Sequence, residues 1–325
     1  MRRFIHIILT VVLTAAAAGC TAIEEPAAPV TVLGDKASGY YGEDEIVVLH
    51  QAEVSSPFYF LILADGFTHE DMAVGGRFEK LARMACEDIF SEEPLRRMRE
   101  RCEVRMVCTP CSQYGASLYK VNVAEAVIDT YGVQVQAIKY TPAEAYRKNS
   151  VSTLVLHNSY VNDGYAFLPS DNNRRAVACC AVDMNNLDAD YLRKDILHEL
   201  VGHCTGGLCD EYDLLQDIAN LDTDIEIHQN SGFFRNISIS KENTSWNKYI
   251  GRQGYEDIGY FEGAAYRKSG VYRSTKNSIM RAYSTSSFNA ISRECIHRRI
   301  ITANGEKWTW EQFLEFDRDY VLGNE

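Results

Sequence analysis

Seven consecutive residues, Phe58 to Ala64 (FYFLILA), form an unbroken apolar run of strand length, closed by the turn Asp65-Gly66-Phe67-Thr68. A strand without polar alternation needs cover on both faces, as a central strand of an α/β sheet has. Val104 to Val107, Thr153 to His157 and Ala176 to Val182 repeat the signature. Helical spacing appears between them and after them. Phe78, Leu81, Ala82, Ala85 and Ile89 mark a helical segment from Glu70 to about Cys102 that Pro94 splits in two, and another helix covers roughly Asp190 to Cys204. Two more close the chain, near Phe288 to Ile300 and Trp310 to Val321. From about Asn220 to Ser287 the composition turns to Asn, Gly, Ser and Tyr, which predicts loops with short elements. With 46% apolar residues among 325 the chain can bury a large core, and nothing after residue 50 resembles a linker, so residues 46–325 are expected to form one α/β domain.

The first twenty residues point to export. Arg2 and Arg3 precede the apolar run Phe4 to Leu13, which gives way to the small residues Ala15 to Gly19 and then Cys20. This is the order of a secretory signal, too short for a membrane-spanning helix. Cys20 after small residues resembles a bacterial lipobox, with Ala17 where Leu is usual. Residues 1–19 are therefore expected to be a signal peptide and residues 20–45, with Pro26, Pro29, Gly34, Gly39 and Gly42, a lipidated cysteine followed by a tether. The expected location is the cell envelope, at the outer membrane or cell surface, with membrane contact only through the lipid on Cys20. Glu24 and Glu25 resemble an acidic surface-export tag. A net charge of −12 argues against a nucleic-acid binder. Nine cysteines remain after Cys20, and Cys108-Thr-Pro-Cys111, without a second such pair, reads as a disulfide or as buried thiols.

The chemistry is concentrated in His198-Glu199-Leu-Val-Gly202-His203-Cys-Thr-Gly206-Gly207-Leu-Cys209-Asp210-Glu211-Tyr212. A helix with adjacent His and Glu, a second His one turn on, and a glycine turn before an acidic pair has the layout of a zinc peptidase site. Catalytic zinc takes three protein ligands and leaves a fourth position for water. Glu199, beside the first histidine, is placed to move that water's proton. The two histidines are five residues apart, which on a regular α-helix turns their side chains about 140° from each other. Joint binding therefore predicts a π-type widening between about Glu199 and Cys204, with Gly202 at the widened point.

The strings HELVGHCTGGLCDEY, FLILADGFTHEDM and SIMRAYSTSSFNAISRECIHRRI resemble the IgA-peptidase-type zinc metallopeptidases, metallopeptidase family 64, and especially their lipoprotein branch in gut Bacteroidetes. The resemblance covers roughly Phe58 to Ile300. It implies a metzincin-like α/β domain with a twisted mixed sheet and an active-site helix, with Zn2+ as cofactor. It makes His198 and His203 ligands, Glu199 the general base, Asp210 the third ligand and Met280 the methionine of a turn beneath the metal. By offset alone Cys209 and Glu211 also stand as candidates for the third ligand. Tyr212 and Tyr283 are candidates to donate a hydrogen bond to the oxyanion of the reaction. Lone His157 and His228 invite a weaker second-metal reading, and the absence of a Gly-x-Ser-x-Gly elbow leaves serine chemistry without an anchor. The expectation is a zinc endopeptidase acting on protein or glycoprotein. The competing one is a binding or adhesin lipoprotein that keeps the scaffold without turnover, and the retention of Glu199 favours the enzyme.

Overall fold

The computed structural model describes residues 30–32, 39–168, 175–213, 221–285 and 287–323, so the signal segment 1–19 and Cys20 lie outside the described residues. Seven strands, β1 (Val30–Val32), β2 (Glu45–His50), β3 (Phe58–Asp65), β4 (Cys102–Cys108), β5 (Val151–Ser159), β6 (Asp163–Phe167) and β7 (Val177–Asp183), make one mixed sheet in the order β1-β2-β4-β3-β5-β7-β6. The central four, β4, β3, β5 and β7, run parallel. β2 and β6 flank them in antiparallel pairing. Along β3, Phe58, Phe60, Ile62 and Ala64 enter the core on one face while Tyr59, Leu61 and Leu63 enter that on the other. Two-sided burial is thus why the run carries no polar alternation.

The helices described are α1 (Arg77–Ile89), α2 (Thr130–Tyr140), α3 (Ala143–Arg147), α4 (Ala189–Asp195), α5 (Leu221–Asn230), α6 (Ala290–Ala303) and α7 (Trp310–Val321). α4 continues as π-helical turns over Ile196–Thr205, all ten residues of which are buried. This segment packs against β5, β6 and β7 and is flanked by α1 and α6, while α2 covers the opposite face. A three-stranded antiparallel sheet of β8 (Ile237–Ser238), β9 (Phe261–Ala264) and β10 (Arg267–Arg273), in the order β8-β10-β9, lies within the stretch expected to be loops.

The structure departs from the sequence expectations in places. Val30–Val32, within the expected tether, pair parallel with Ile46–Val48 of β2. Tyr41, also within it, is buried and donates its hydroxyl to Glu79 at 2.8 Å. The segment from Glu70 to Cys102 is helical only over Arg77–Ile89, with short 3-10 turns at Glu70–Met72 and Leu95–Arg101. The nine cysteines from Cys86 to Cys295 are buried thiols, with no disulfide between any of them. Among the described residues no helix is long and apolar enough to cross a membrane.

Candidate metal centre

The π-helical turns bring the two histidines together despite their five-residue spacing. Gly206 N donates to Val201 O at 2.9 Å, and Thr205 Oγ1 to Leu200 O at 2.9 Å, both five residues back. The imidazoles of His198 and His203 lie with ring centroids 4.8 Å apart. Gly202 is required where the helix widens, because a Cβ there would fall inside contact distance of Met280 Sδ, 3.0 Å from its Cε and 3.3 Å from Leu197 O. Met280, fully buried, thus supports the helix from beneath. At Gly207, φ is +62°, and this left-handed turn redirects the chain so that Asp210 reaches back to the histidines.

Each imidazole is held at both nitrogens. His198 Nδ1 lies 2.9 Å from Ile279 O, and His203 Nδ1 lies 2.8 Å from Leu208 O. A carbonyl only accepts, so Nδ1 carries the proton in both rings, and Nε2 is the nitrogen that offers a lone pair when the ring is neutral. Both Nε2 atoms converge on one carboxylate oxygen, Asp210 Oδ1, at 2.9 Å from His198 and 3.3 Å from His203. Asp210 is fully buried, yet the opposing burial effect is outweighed by His203 and His198, which hold its carboxyl well below the usual range. Burial, which lowers the pKa of His203, is likewise outweighed by Asp210, and the imidazole rises to about 9. Every nitrogen of both rings therefore faces an oxygen that only accepts. Two buried imidazolium ions could satisfy this pattern only by lying side by side. A single divalent cation satisfies it with both rings neutral, and ligand atoms about 2.0–2.2 Å from zinc at roughly tetrahedral angles are about 3.3–3.6 Å apart, against 3.3 Å from Asp210 Oδ1 to His203 and 2.9 Å to His198. The donor set therefore fits a zinc ion.

Glu199 is buried beside this group, its Oε2 4.0 Å from His203 Nε2. Donor atoms of His198, Glu199 and His203 all lie within 4.8 Å of one another. Among the described residues no such group forms around His157 or His228. His157 Nδ1 instead sits 2.7 Å from Asp65 Oδ2, and His228 packs on Phe234.

The neighbours of Asp210 have other partners. Glu211 is buried and accepts from Ser278 Oγ at 2.5 Å, from Asn236 Nδ2 at 3.0 Å and from Asn289 Nδ2 at 3.0 Å, so its carboxylate is bound into the scaffold. Cys209 is tied through its backbone to the side-chain amide of Asn236, and burial pushes its thiol pKa well up. Tyr283 turns its ring edge toward His198 at 5.5 Å and donates its hydroxyl to Asp195 Oδ1 at 2.6 Å, one turn before His198. Tyr212 is partly exposed, its hydroxyl 3.5 Å from that of Tyr266. Tyr266 was not singled out from sequence, yet it donates to Asp210 Oδ2, the carboxylate oxygen turned away from the histidines. No sequence signal separates it from the other tyrosines, 19 in all.

No curated protein matches the sequence. Over residues 248–300, the stretch that supplies Ile279 O to His198 and carries Met280 and Tyr283, the chain is similar to the IgA Peptidase M64 family.

Proposed function

We propose that the chain is a zinc-dependent endopeptidase of the cell envelope, metzincin-like in the placement of Met280 beneath its metal, with a protein or glycoprotein as substrate. One observation carries this reading: two imidazoles fixed through Nδ1 turn Nε2 onto one ionised carboxylate, with a second carboxylate alongside. His198, His203 and Asp210 would hold the metal. A zinc ion bound there supplies a Lewis acid that polarises the scissile carbonyl and brings the pKa of a water toward 7. Glu199 takes the proton of the attacking water on a carboxylate oxygen and delivers it to the departing amine nitrogen. Held by two neutral imidazoles and one carboxylate, a divalent ion would keep one net positive charge, the sign that suits a developing oxyanion. Tyr212, partly exposed, is the proposed hydroxyl donor to that oxyanion, turning from its 3.5 Å contact with Tyr266, whereas the hydroxyl of Tyr283 would have to leave its 2.6 Å bond to Asp195.

Support for peptide bonds as the substrate class comes from the family similarity over residues 248–300. Elemental analysis of the purified protein is expected to find one zinc per chain. Glu199→Gln is expected to keep that zinc and to lose about 10²-fold or more of peptide hydrolysis. A variant that loses its metal would make Glu199 a ligand and overturn the assignment. The location rests on the signal-like order of residues 1–20. It is checked by labelling with a palmitate analogue, which Cys20→Ser should abolish.

A further inference from the structure

At the far end of the histidine-bearing helix, beyond Thr205, lies a cavity of about 240 Å3. α6 brings Arg298, Arg299 and Thr302 to it, the turn after α5 brings Ser231, and Arg235 follows. Among the described residues no aspartate or glutamate lines this hollow, although the chain as a whole carries a net charge of −12. Three arginines lining one space run against the charge of the rest of the molecule.

Their partners are unequally shared. Arg298 donates to Glu294 and lies 4.0 Å over the ring of Trp308, and Lys248 bonds the same carboxylate at 2.7 Å. Among the described residues, the side chains of Arg235 and Arg299 make no ion pair and donate no hydrogen bond, and Nε of Arg299 is buried without a partner. Burial and the like charge of Arg175 lower the pKa of Arg299 to about 10, so its surroundings oppose the charge it carries. Arg299 as a whole is partly exposed, but its Nε is buried, and a buried donor is normally satisfied by an acceptor.

Cations beyond a helix C-terminus can serve its last carbonyls and its dipole. Here three of the carbonyls near the helix end are already used: Val201 O accepts from Gly206 N, His203 O from Gly207 N and Gly202 O from Leu208 N. Among the described residues none of Arg235, Arg298 and Arg299 donates to a carbonyl of this helix. What would satisfy planar donor forks from two separate elements, together with the neighbouring hydroxyls, is an oxyanion with several acceptor atoms and more than one negative charge. The volume lies below the roughly 300–1,000 Å3 of pockets for drug-sized ligands, so the ligand is small.

We infer that this cavity binds a small tetrahedral oxyanion, phosphate or the phosphate monoester of a small molecule, through Arg235, Arg298 and Arg299. The site abuts the metal centre without including it: Gly206 and Gly207 form one wall, and Leu208, next in the chain, holds His203.

Isothermal titration of the full protein with inorganic phosphate, and separately with glycerol 3-phosphate, tests this in chloride buffers of matched ionic strength. Binding is expected, with Arg235→Gln and Arg299→Gln each weakening it about tenfold or more, as loss of a charge-assisted pair should. Tighter binding of the ester assigns the site to a monoester, and tighter binding of phosphate assigns it to the free ion. Without phosphate, Arg299→Gln should melt no lower than wild type, because the guanidinium it removes has no partner among the described residues. The inference is overturned if wild type binds neither probe, or if the arginine variants bind as well as wild type, which would place the anion elsewhere. A lower melting temperature of Arg299→Gln in phosphate-free buffer would also overturn it by making Arg299 a structural cation.

Discussion

Replacing Gly202 by Ala tests the widened helix and its support together. A Cβ at this position meets Met280 Sδ inside contact distance, Met280 Cε at 3.0 Å and Leu197 O at 3.3 Å. Met280 is fully buried and Leu197 O belongs to the helix backbone, so neither can yield cheaply. Overpacking a filled core costs about 1–3 kcal/mol, and this contact belongs in the upper half of that range. Alanine recovers about 1 kcal/mol of helix propensity over glycine. The expected net loss is therefore about 1–2 kcal/mol, read as a lower urea midpoint at unchanged slope. The cause is isolated by a double-mutant cycle. Met280→Ala alone opens a cavity and should cost about 2–5 kcal/mol, but in its presence the alanine at 202 meets no sulfur. The cycle should give a favourable coupling on the order of 2 kcal/mol. A Gly202→Ala protein as stable as wild type, or a coupling under about 0.5 kcal/mol, would refute the packing of Met280 against the widened turn.

Asp210→Ala should reduce zinc content strongly, Tyr266→Phe should weaken zinc retention about tenfold against a competing chelator by releasing one carboxylate oxygen, and Glu211→Gln should leave zinc in place; zinc loss only in Cys209→Ser would contradict the first two. His297 accepts a hydrogen bond from Trp308 Nε1 at its Nδ1, and burial together with Arg101 lowers its pKa from 6.5 to about 4. Between those values the unfolded chain binds more protons, so this group's stability contribution is complete above about pH 6.5 and is lost as pH falls through about 4, on the order of 2–3 kcal/mol. Urea unfolding from pH 7.5 to 4.5 should show a smaller pH slope in His297→Asn, which keeps an acceptor for Trp308, and equal slopes would refute the assignment.

What could be read from the sequence follows from how many physical constraints each element meets. The strands β3, β4, β5 and β7 are legible because burial on both faces leaves an apolar run. The π-helical turns are legible because five residues between two ligands contradict an α-helix. α2 is not: Val133, Ala137 and Tyr140 face the core, but Tyr131, Val135 and Ile138 point outward, Tyr131 at 77% exposure, so apolar residues mark no single face. β1 has three residues, and only the edge of β2 gives them a partner. β10, Arg267-Lys-Ser-Gly-Val-Tyr-Arg, lacks the alternation that marks a strand. Tyr266 was hidden for another reason: its role depends on Ala265 and Tyr266 both adopting left-handed backbone, φ 50° and 66°, which neither residue type announces.

The third ligand shows where residue counting stops and chain path takes over. Cys209, Asp210 and Glu211 are separated by single steps, and offsets from His203 do not distinguish them. The backbone does. Asp210 O accepts from Ala265 N and Tyr212 O from Tyr266 N, whereas Glu211 N donates to Met280 O, so consecutive residues bond to opposite sides as in a strand. Asp210 and Glu211 accordingly point away from each other, and only one can reach the histidines. The buried carboxylate of Glu211 then needs its own donors, and Ser278, Asn236 and Asn289 supply them from three other parts of the chain. Burial raises its pKa, opposed by those three bonds and by the charge of Arg273. Its bonds join the segment bearing Asp210 to the one bearing Ile279 and Met280, so the two acidic neighbours divide the work: Asp210 faces the ligand set, and Glu211 fixes the distance between the segments that hold it.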